Sequence, residues 1–223
     1  MERTYIKDLK SGKVLVKGWV HETRDLAKMK FLMLRDSSGI VQCILKDASL
    51  FDKFSKLTLE SVISITGEVK KAAVKAELAR SDVEIEVSEI EVLNLAETLP
   101  IQVNEKTITT DLSNRLDYRS LDVRKPKVAA IFKIQNEIAN SFREFFYKKG
   151  FIEIQTPCVI GAASEGGTDL FEVKYFEKKA YLAQSPQLYK QMMACSMEKV
   201  FMITPVWRAE KHNTPRHINE IRQ

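Results

Sequence analysis

Phe31-Leu32-Met33-Leu34-Arg35-Asp36, then Ser37-Ser38-Gly39, then Ile40-Val41-Gln42-Cys43-Ile44-Leu45 is the stretch that decides the fold. Two apolar-rich runs flank a short turn containing glycine, which is a β-hairpin signal. Upstream, Val14, Val16 and Trp19-Val20 form another apolar-rich run. Downstream, Ser61 to Glu68 is bounded by Gly67, and in Asp82 to Leu95 the residues Val83, Ile85, Val87 and Ile90 partly alternate with Glu84, Glu86 and Glu89. Such alternation marks a half-buried strand. Leu50 to Leu59, between the third and fourth runs, reads as a short helix. Five strands with a helix after the third is the order of an oligonucleotide-binding barrel, and another small β-domain has the same ingredients.

The chain has 223 residues, enough for one large domain or two modest ones. With 44% hydrophobic and 29% charged residues it is neither a disordered nor a fibrous sequence. Its uncharged stretches are far shorter than the roughly 18 apolar residues of a membrane span. The start, Met-Glu-Arg-Thr-Tyr, lacks the pattern of a secretion signal. Cys43, Cys158 and Cys195 are too few and scattered for a disulfide scaffold or zinc knuckle. These features predict a reducing compartment, the cytoplasm. The net charge of +5 is uneven: residues 1–60 and 101–223 are basic and 61–100 acidic. A basic half suits nucleic acid or nucleotide phosphates, and it equally suits a well-solvated surface.

The expected domains are a barrel over 1–95, a connector over 96–126 with Leu112, Leu116 and Leu121 as anchors, and an α+β region over 127–223. A long helix begins near Pro126, carries Ile131, Ile134, Ile138, Phe142, Phe145 and Phe146 at helical spacing, and stops at Gly150. Phe151 to Ile154, Ala180 to Leu182, Val200 to Thr204 and a run starting at Val206 and reaching Ala209 read as strands. Ser185-Pro186 opens a helix from Leu188 to Met197, and no terminal element is expected before Gln223.

Several residues suit chemistry. On a strand, Arg208 and Glu210 share a face, as a plain salt bridge would. Lys211 to His217 is dense in donors, fit for a polyphosphate or for a surface turn. Gln187 and Lys190, three apart on a helix, can meet one carboxylate or simply solvent. Ser164-Glu165-Gly166-Gly167 is a loop whose Glu165 suits an ammonium group.

Three motifs together resemble a class II aminoacyl-tRNA synthetase of the aspartyl type found in archaea and eukaryotes. Gly150 to Pro157 matches the first class motif, Trp207-Arg208-Ala209-Glu210 through His217 the second, and Gln-Ser-Pro-Gln-x-x-Lys-Gln at 184–191 the aspartate signature. Trp207 stands where the family usually has Phe. The resemblance implies an OB-fold anticodon-binding barrel followed by an incomplete class II catalytic domain, an antiparallel sheet with flanking helices. It implies that ATP and Mg²⁺ are used, and that L-aspartate is activated as aspartyl-adenylate and joined to tRNA(Asp). It implies that Arg208, Ala209, Glu210, Arg216, His217 and Ile218 meet ATP, with Arg208 catalytic, and that Glu165, Gln187, Leu188, Tyr189, Lys190 and Arg208 meet aspartate. Arg24, Phe31, Gln42 and Glu84 would meet the anticodon. His21 falls where members differ over charging tRNA(Asn), and its histidine leans toward the relaxed type. A homodimer through Gly150 to Pro157 and the preceding helix is implied too. The family's third motif and Mg²⁺ ligands are expected beyond residue 223, so this chain is expected to hold no metal ligands and to be inactive alone. Two rival readings are a tRNA-binding module without catalysis and an asparaginyl-tRNA synthetase relative.

Overall fold

A computed structural model describes residues 1–26, 29–105, 107–164, 169–212, 214 and 216–223. The chain divides into two compact units, Met1–Ala129 and Ala130–Gln223.

The first unit is built on β1 (Gly12–Leu26), β2 (Met29–Arg35), β3 (Ile40–Leu45), β4 (Val62–Lys71) and β5 (Val83–Asn94). They close a barrel in the order β1-β2-β3-β5-β4. The β3–β5 pair is parallel, and the other pairs are antiparallel. Helix α1 (Phe51–Ser55) lies between β3 and β4, where the sequence predicts it, and its Phe54 joins the core. Alternate residues of each strand point inward: Val14 and Val16, Leu32 and Leu34, Val41 and Cys43, Ile63 and Ile65, Ile85 and Val87 all belong to one buried cluster. Asp36 fixes the β2–β3 turn, its Oδ1 accepting from the Ser38 and Gly39 amides at 2.7 and 3.0 Å. Its Oδ2 accepts from the amide of buried Ile6 at 2.8 Å, tacking the N-terminal segment to the barrel.

The alternation slips where the barrel needs curvature. Pairing of β1 with β2 passes from Val20↔Leu34 to Glu22↔Met33, leaving His21 as the extra residue of a bulge. Pairing of β4 with β5 slips between Thr66 and Gly67, and a Cβ on Gly67 would lie 2.5 Å from the Glu86 carbonyl oxygen. Only glycine admits that approach.

Residues 96–129 continue the first unit through α2 (Leu112–Asp117), α3 (Arg119–Asp122) and the start of α4 (Pro126–Lys148). The leucine anchors are not where burial falls: Leu112 and Leu116 are exposed and Leu121 is half-buried. Ile101 and Val103 are buried instead, together with an ion cluster. Lys125, only 1% exposed, donates to Glu105 Oε2 at 2.8 Å, and Asp122 accepts from Arg115 at 2.8 Å and from Arg119. Buried charge is tolerated here because each group has an oppositely charged partner.

In the second unit, α4 ends at Lys148, and Gly150 follows with a φ of +76° that suits a residue just past a helix end. Arg143 Nε and Tyr147 Oη donate to Glu153, at 3.1 and 2.5 Å, tying α4 to β6 (Ile152–Glu153). Strand β6 pairs in parallel with β10 (Val200–Phe201), and the Phe201 ring stacks on Phe146 at 5.1 Å. Strands β7 (Val159–Ile160), β9 (Lys178–Leu182) and β8 (Glu172–Tyr175) form an antiparallel sheet in that order. Helix α5 (Gln187–Met197) precedes β10.

Two expectations need correction. The strand begun near Val206 is β11 (Pro205–Trp207) and stops before Arg208. A terminal element does exist: β12 (Glu220–Arg222) pairs antiparallel with β11, because the polar end residues complete a backbone ladder that needs no apolar side chains. Ile131, Ile134, Ile138, Phe142 and Phe145 of α4 are exposed. Among the described residues no helix is long and apolar enough to cross a membrane.

Candidate functional site

The barrel gathers its candidate residues on one face. Arg24 of β1 lies opposite Phe31 of β2, and Glu22 opposite Met33. Met33 lies opposite Gln42 of β3, which in turn lies opposite Glu84 of β5. Period-two alternation therefore puts Arg24, Phe31, Gln42 and Glu84 on the side away from Leu32, Leu34 and Cys43. Phe31 is half-buried, an aromatic ring outside the core cluster. Gln42 Nε2 donates to Glu84 Oε2 at 3.0 Å, which leaves the amide oxygen of Gln42 free to accept. Arg24 Nε donates to Glu22 Oε1 at 2.9 Å.

An open groove on this unit is lined by His21, Arg24, Gln42, Lys75 and Asn104, among others. The structure thus brings three of the five candidates into one groove, with Phe31 and Glu84 as cross-strand neighbours of two of them. Lys75 and Asn104 were missed by sequence reasoning. Lys75 belongs to a stretch between strands with no periodicity, and Asn104 carries no pattern at all.

His21 is 7% exposed, and its Nδ1 lies 3.0 Å from Arg35 Nη1. Burial, then the Arg35 charge, holds its pKa below the usual histidine value, while Glu60 and Glu22 pull it up. Glu60 Oε2 accepts from Arg35 Nη2 and from Arg124 Nη1, both at 2.8 Å.

In the second unit a backbone bond ties the start of one polar string to the residue just before the other. The Trp207 amide donates to the Ala183 carbonyl at 2.9 Å, placing β11 beside the segment that leads into α5. At the start of α5 the Gln187 amide donates to Ser185 Oγ at 3.4 Å. Past β11, the Arg208 amide donates to the Asn219 carbonyl at 3.0 Å and the Ala209 amide to the Asp169 carbonyl at 3.0 Å. The Glu210 amide turns back to the Arg208 carbonyl at 2.8 Å, so Arg208 and Glu210 do not share a strand face as the sequence suggested. The strand ends because the chain bends to follow these loop carbonyls.

Gln187, Leu188, Lys190 and Arg208 are exposed, and Tyr189, Ala209 and Glu210 half-buried. Arg216, His217 and Ile218 are exposed too, with His217 Nδ1 at 2.7 Å from Thr214 Oγ1. Among the described residues no hydrogen bond or ion pair joins the side chains of Gln187, Lys190, Arg208 and Glu210. Glu165 lies outside the described residues. Gln184, 1% exposed, holds a carbonyl Oε1 with no partner among the described residues, a feature that sequence reasoning did not single out. The exposed donors Arg208, Arg216 and His217 fit a polyphosphate. Among the described residues no group of three or more His, Cys, Asp or Glu is placed to hold a metal ion.

Comparison with known proteins agrees with this division. The OB-fold nucleic acid binding domain matches residues 14–93, and the family of class II tRNA synthetases (D, K and N) matches residues 111–223. The chain is 49% identical over 228 residues to an aspartate–tRNA(Asp/Asn) ligase of Archaeoglobus fulgidus, covering 98% of this chain and 52% of that protein. It is 48% identical to an aspartate–tRNA(Asp) ligase of Thermococcus kodakarensis, covering 96% and 49%. Its structure is similar, at a TM-score of 0.88 and 36% identity, to asparaginyl-tRNA synthetase from Pyrococcus horikoshii complexed with asparaginyl-adenylate, covering 100% of this chain and 52% of that one. The chain spans about half the length of the curated relatives it matches. The fold is an OB-fold barrel followed by part of a class II α+β catalytic domain, and the chain belongs to the class II tRNA synthetases of the D, K and N group.

Proposed function

We propose that this chain supplies the anticodon-binding barrel and part of the activation site of an aspartate–tRNA ligase. The reading is carried by one observation. A barrel face bearing Arg24, Phe31, Gln42 and Glu84 precedes a class II domain in which the aspartate string at 184–191 and the Arg208 string lie side by side through Ala183 and Trp207.

In this reading the aspartate α-carboxylate attacks the α-phosphorus of ATP. The bond to pyrophosphate breaks, and a hydroxyl at the tRNA 3′ end then takes the acyl group of the resulting aspartyl-adenylate, giving up its proton and releasing AMP. In the activation step the attacking carboxylate is already ionised, so no general base is needed there, and the residues act by positioning and charge. Arg208 pairs with the α-phosphate and the substrate carboxylate. Glu210 accepts from the adenine amino group, Ala209 and Ile218 flank the nucleotide, and Arg216 and His217 meet the outer phosphates. Gln187, Leu188, Tyr189 and Lys190 form the aspartate side, Lys190 pairing with the side-chain carboxylate, and Glu165 meets the amino group. An asparagine side chain cannot neutralise a Lys190 ammonium, which favours aspartate. Mg²⁺ would offset repulsion between the charged substrates, and its ligands are assigned to no residue of this chain.

On the barrel, Phe31 stacks on an anticodon base, while Gln42, Glu84 and Arg24 meet base edges and backbone. His21 bears on whether tRNA(Asn) is also charged. The domains follow as 1–95, 96–126 and 127–223. The exposed apolar face of α4, with Gly150 to Pro157, is the homodimer contact, and the cytoplasm is where the protein works.

The test is aspartate-dependent exchange of pyrophosphate into ATP, measured on this chain and on a protein of its relatives' length that contains it. Exchange by the longer protein, lost in Arg208→Ala and switched toward asparagine in Lys190→Ala, is expected. Exchange by neither protein overturns the reading. Strict aspartate selectivity retained in Lys190→Ala removes the role of that lysine and opens the asparaginyl alternative.

A further inference from the structure

We propose that Arg35 is a positioning residue that locks His21 into one neutral tautomer, with its proton on Nε2, so that the barrel groove presents a hydrogen-bond donor to an acceptor atom on one anticodon base. The inference rests on reading the groove as the anticodon site.

A guanidinium has five N–H donors and no acceptor. With Arg35 Nη1 at 3.0 Å from His21 Nδ1, that ring nitrogen must offer its lone pair. A proton on Nδ1 would face an N–H group in a site nearly closed to water. The neutral ring therefore carries its proton on Nε2. Nε2 is the only other polar atom of the ring, it has no partner among the described residues, and the residue lines the groove.

Why the ring stands there follows from the backbone. His21 is the unpaired residue of the β1 bulge, and bulges re-aim side chains. On the other side Arg35 cannot swing away. Its Nη2 is held by Glu60 at 2.8 Å, and Glu60 is also held by Arg124 at 2.8 Å. Both guanidinium carbons sit over the Trp19 ring, at 5.5 and 4.9 Å from its centroid. Glu60 itself is pinned by its amide to the Val20 carbonyl at 2.7 Å, one residue before His21. Burial and the Arg35 charge hold the imidazole pKa down and keep the ring neutral against Glu22 and Glu60. Asn104 closes the groove nearby, its Nδ2 at 3.4 Å from the His21 carbonyl. A neutral N–H donor suits a ring nitrogen or carbonyl on a base edge, contacts that carry base discrimination. Phosphate recognition would call instead for the charged ring.

The test uses the whole chain labelled with ¹⁵N-histidine, a long-range ¹H–¹⁵N correlation of the imidazoles, and an RNA stem–loop with the anticodon GUC. His21→Phe assigns the His21 signals. The expected form is neutral with the proton on Nε2, retained at about pH 6, just below the ordinary histidine value. RNA should shift the Nε2–H signal. Arg35→Lys keeps the charge facing Glu60 but not the fork, and should mix the tautomers and weaken the loop about tenfold. His21→Phe leaves the Arg35–Glu60 pair intact and should cost the same. Its penalty should vanish on one of three loops that each lack a single anticodon base. A proton on Nδ1, or a charged ring, overturns the proposal. So does wild-type affinity in His21→Phe, which leaves the anticodon reading standing. A wild-type chain that binds no loop removes the anticodon reading and the base contact with it, whatever the tautomer.

Discussion

In the barrel every strand sends side chains into one cluster in which Leu34, Ile63 and Ile65 are fully buried, whereas the longest helix of the chain, α4, keeps Ile131, Ile134 and Ile138 on its surface. Helix α5 buries none of its residues. Both regions have strong apolar periodicity, but periodicity names only the face, and not what covers it. The barrel closes on itself and supplies its own cover. The helices of the second unit leave apolar side chains exposed, and the proposed dimer would cover those of α4.

The contrast can be broken by mutation. Leu34→Ala should cost about 2–5 kcal/mol, as deletion of a buried leucine does, read as a lower urea midpoint. Ile138→Ala, at a residue 64% exposed, should stay within about 0.5 kcal/mol when the chain is dilute. Equal costs would mean that α4 is as deeply packed as β2. Gly67→Ala comes next, at about 1–3 kcal/mol, because its Cβ would meet the Glu86 carbonyl oxygen. No loss there would show that the barrel closes with slack.

A pH series sharpens the same comparison from the side of charge. The hydrogen bond from Arg115 holds the Asp122 carboxyl below the usual carboxylate range, against burial. Its folded value is thus lower than its unfolded one. The stability it contributes is present above the ordinary value of about 3.9 and is lost as pH falls through the lowered folded value. The urea midpoint of the first unit should fall below pH 4, with a shallower fall in Asp122→Asn. An unchanged slope in that variant would refute the assignment. The smallest expected effect is chemical and leaves stability alone. Cys43 is buried in the barrel and its thiol pKa is pushed far up by burial, while Cys195 of α5 is exposed. A maleimide should label Cys195 in the native chain and Cys43 only after unfolding. Fast labelling of Cys43 would mean that the barrel opens.

How much was legible in the sequence follows the same division. The five barrel strands were readable because Val83, Ile85 and Val87 alternate with glutamates and because Ser37-Ser38-Gly39 marks the turn. The bulge at His21 was not, since one extra residue in a strand leaves no trace in composition. The buried Asp122–Lys125–Glu105 cluster left no signal in the sequence, because charged residues are almost never fully buried without partners, and the partners lie up to 20 residues away. In the second unit β8 and β12 escaped notice, as short strands rich in charge. The strings at 184–191 and 207–217 stood out by residue type, but the turn after Trp207, which separates Arg208 from Glu210, depends on backbone bonds to Asp169 and Asn219 that no local pattern announces.

The most direct measurement is titration of this chain with the GUC anticodon stem–loop at fixed salt, repeated with Phe31→Ala and Gln42→Ala. Saturable binding, weaker by about tenfold in each variant as loss of one stacked or hydrogen-bonded base requires, is the predicted result. No saturable binding, or the same affinity in all three proteins, would contradict the claim that this barrel face reads the anticodon.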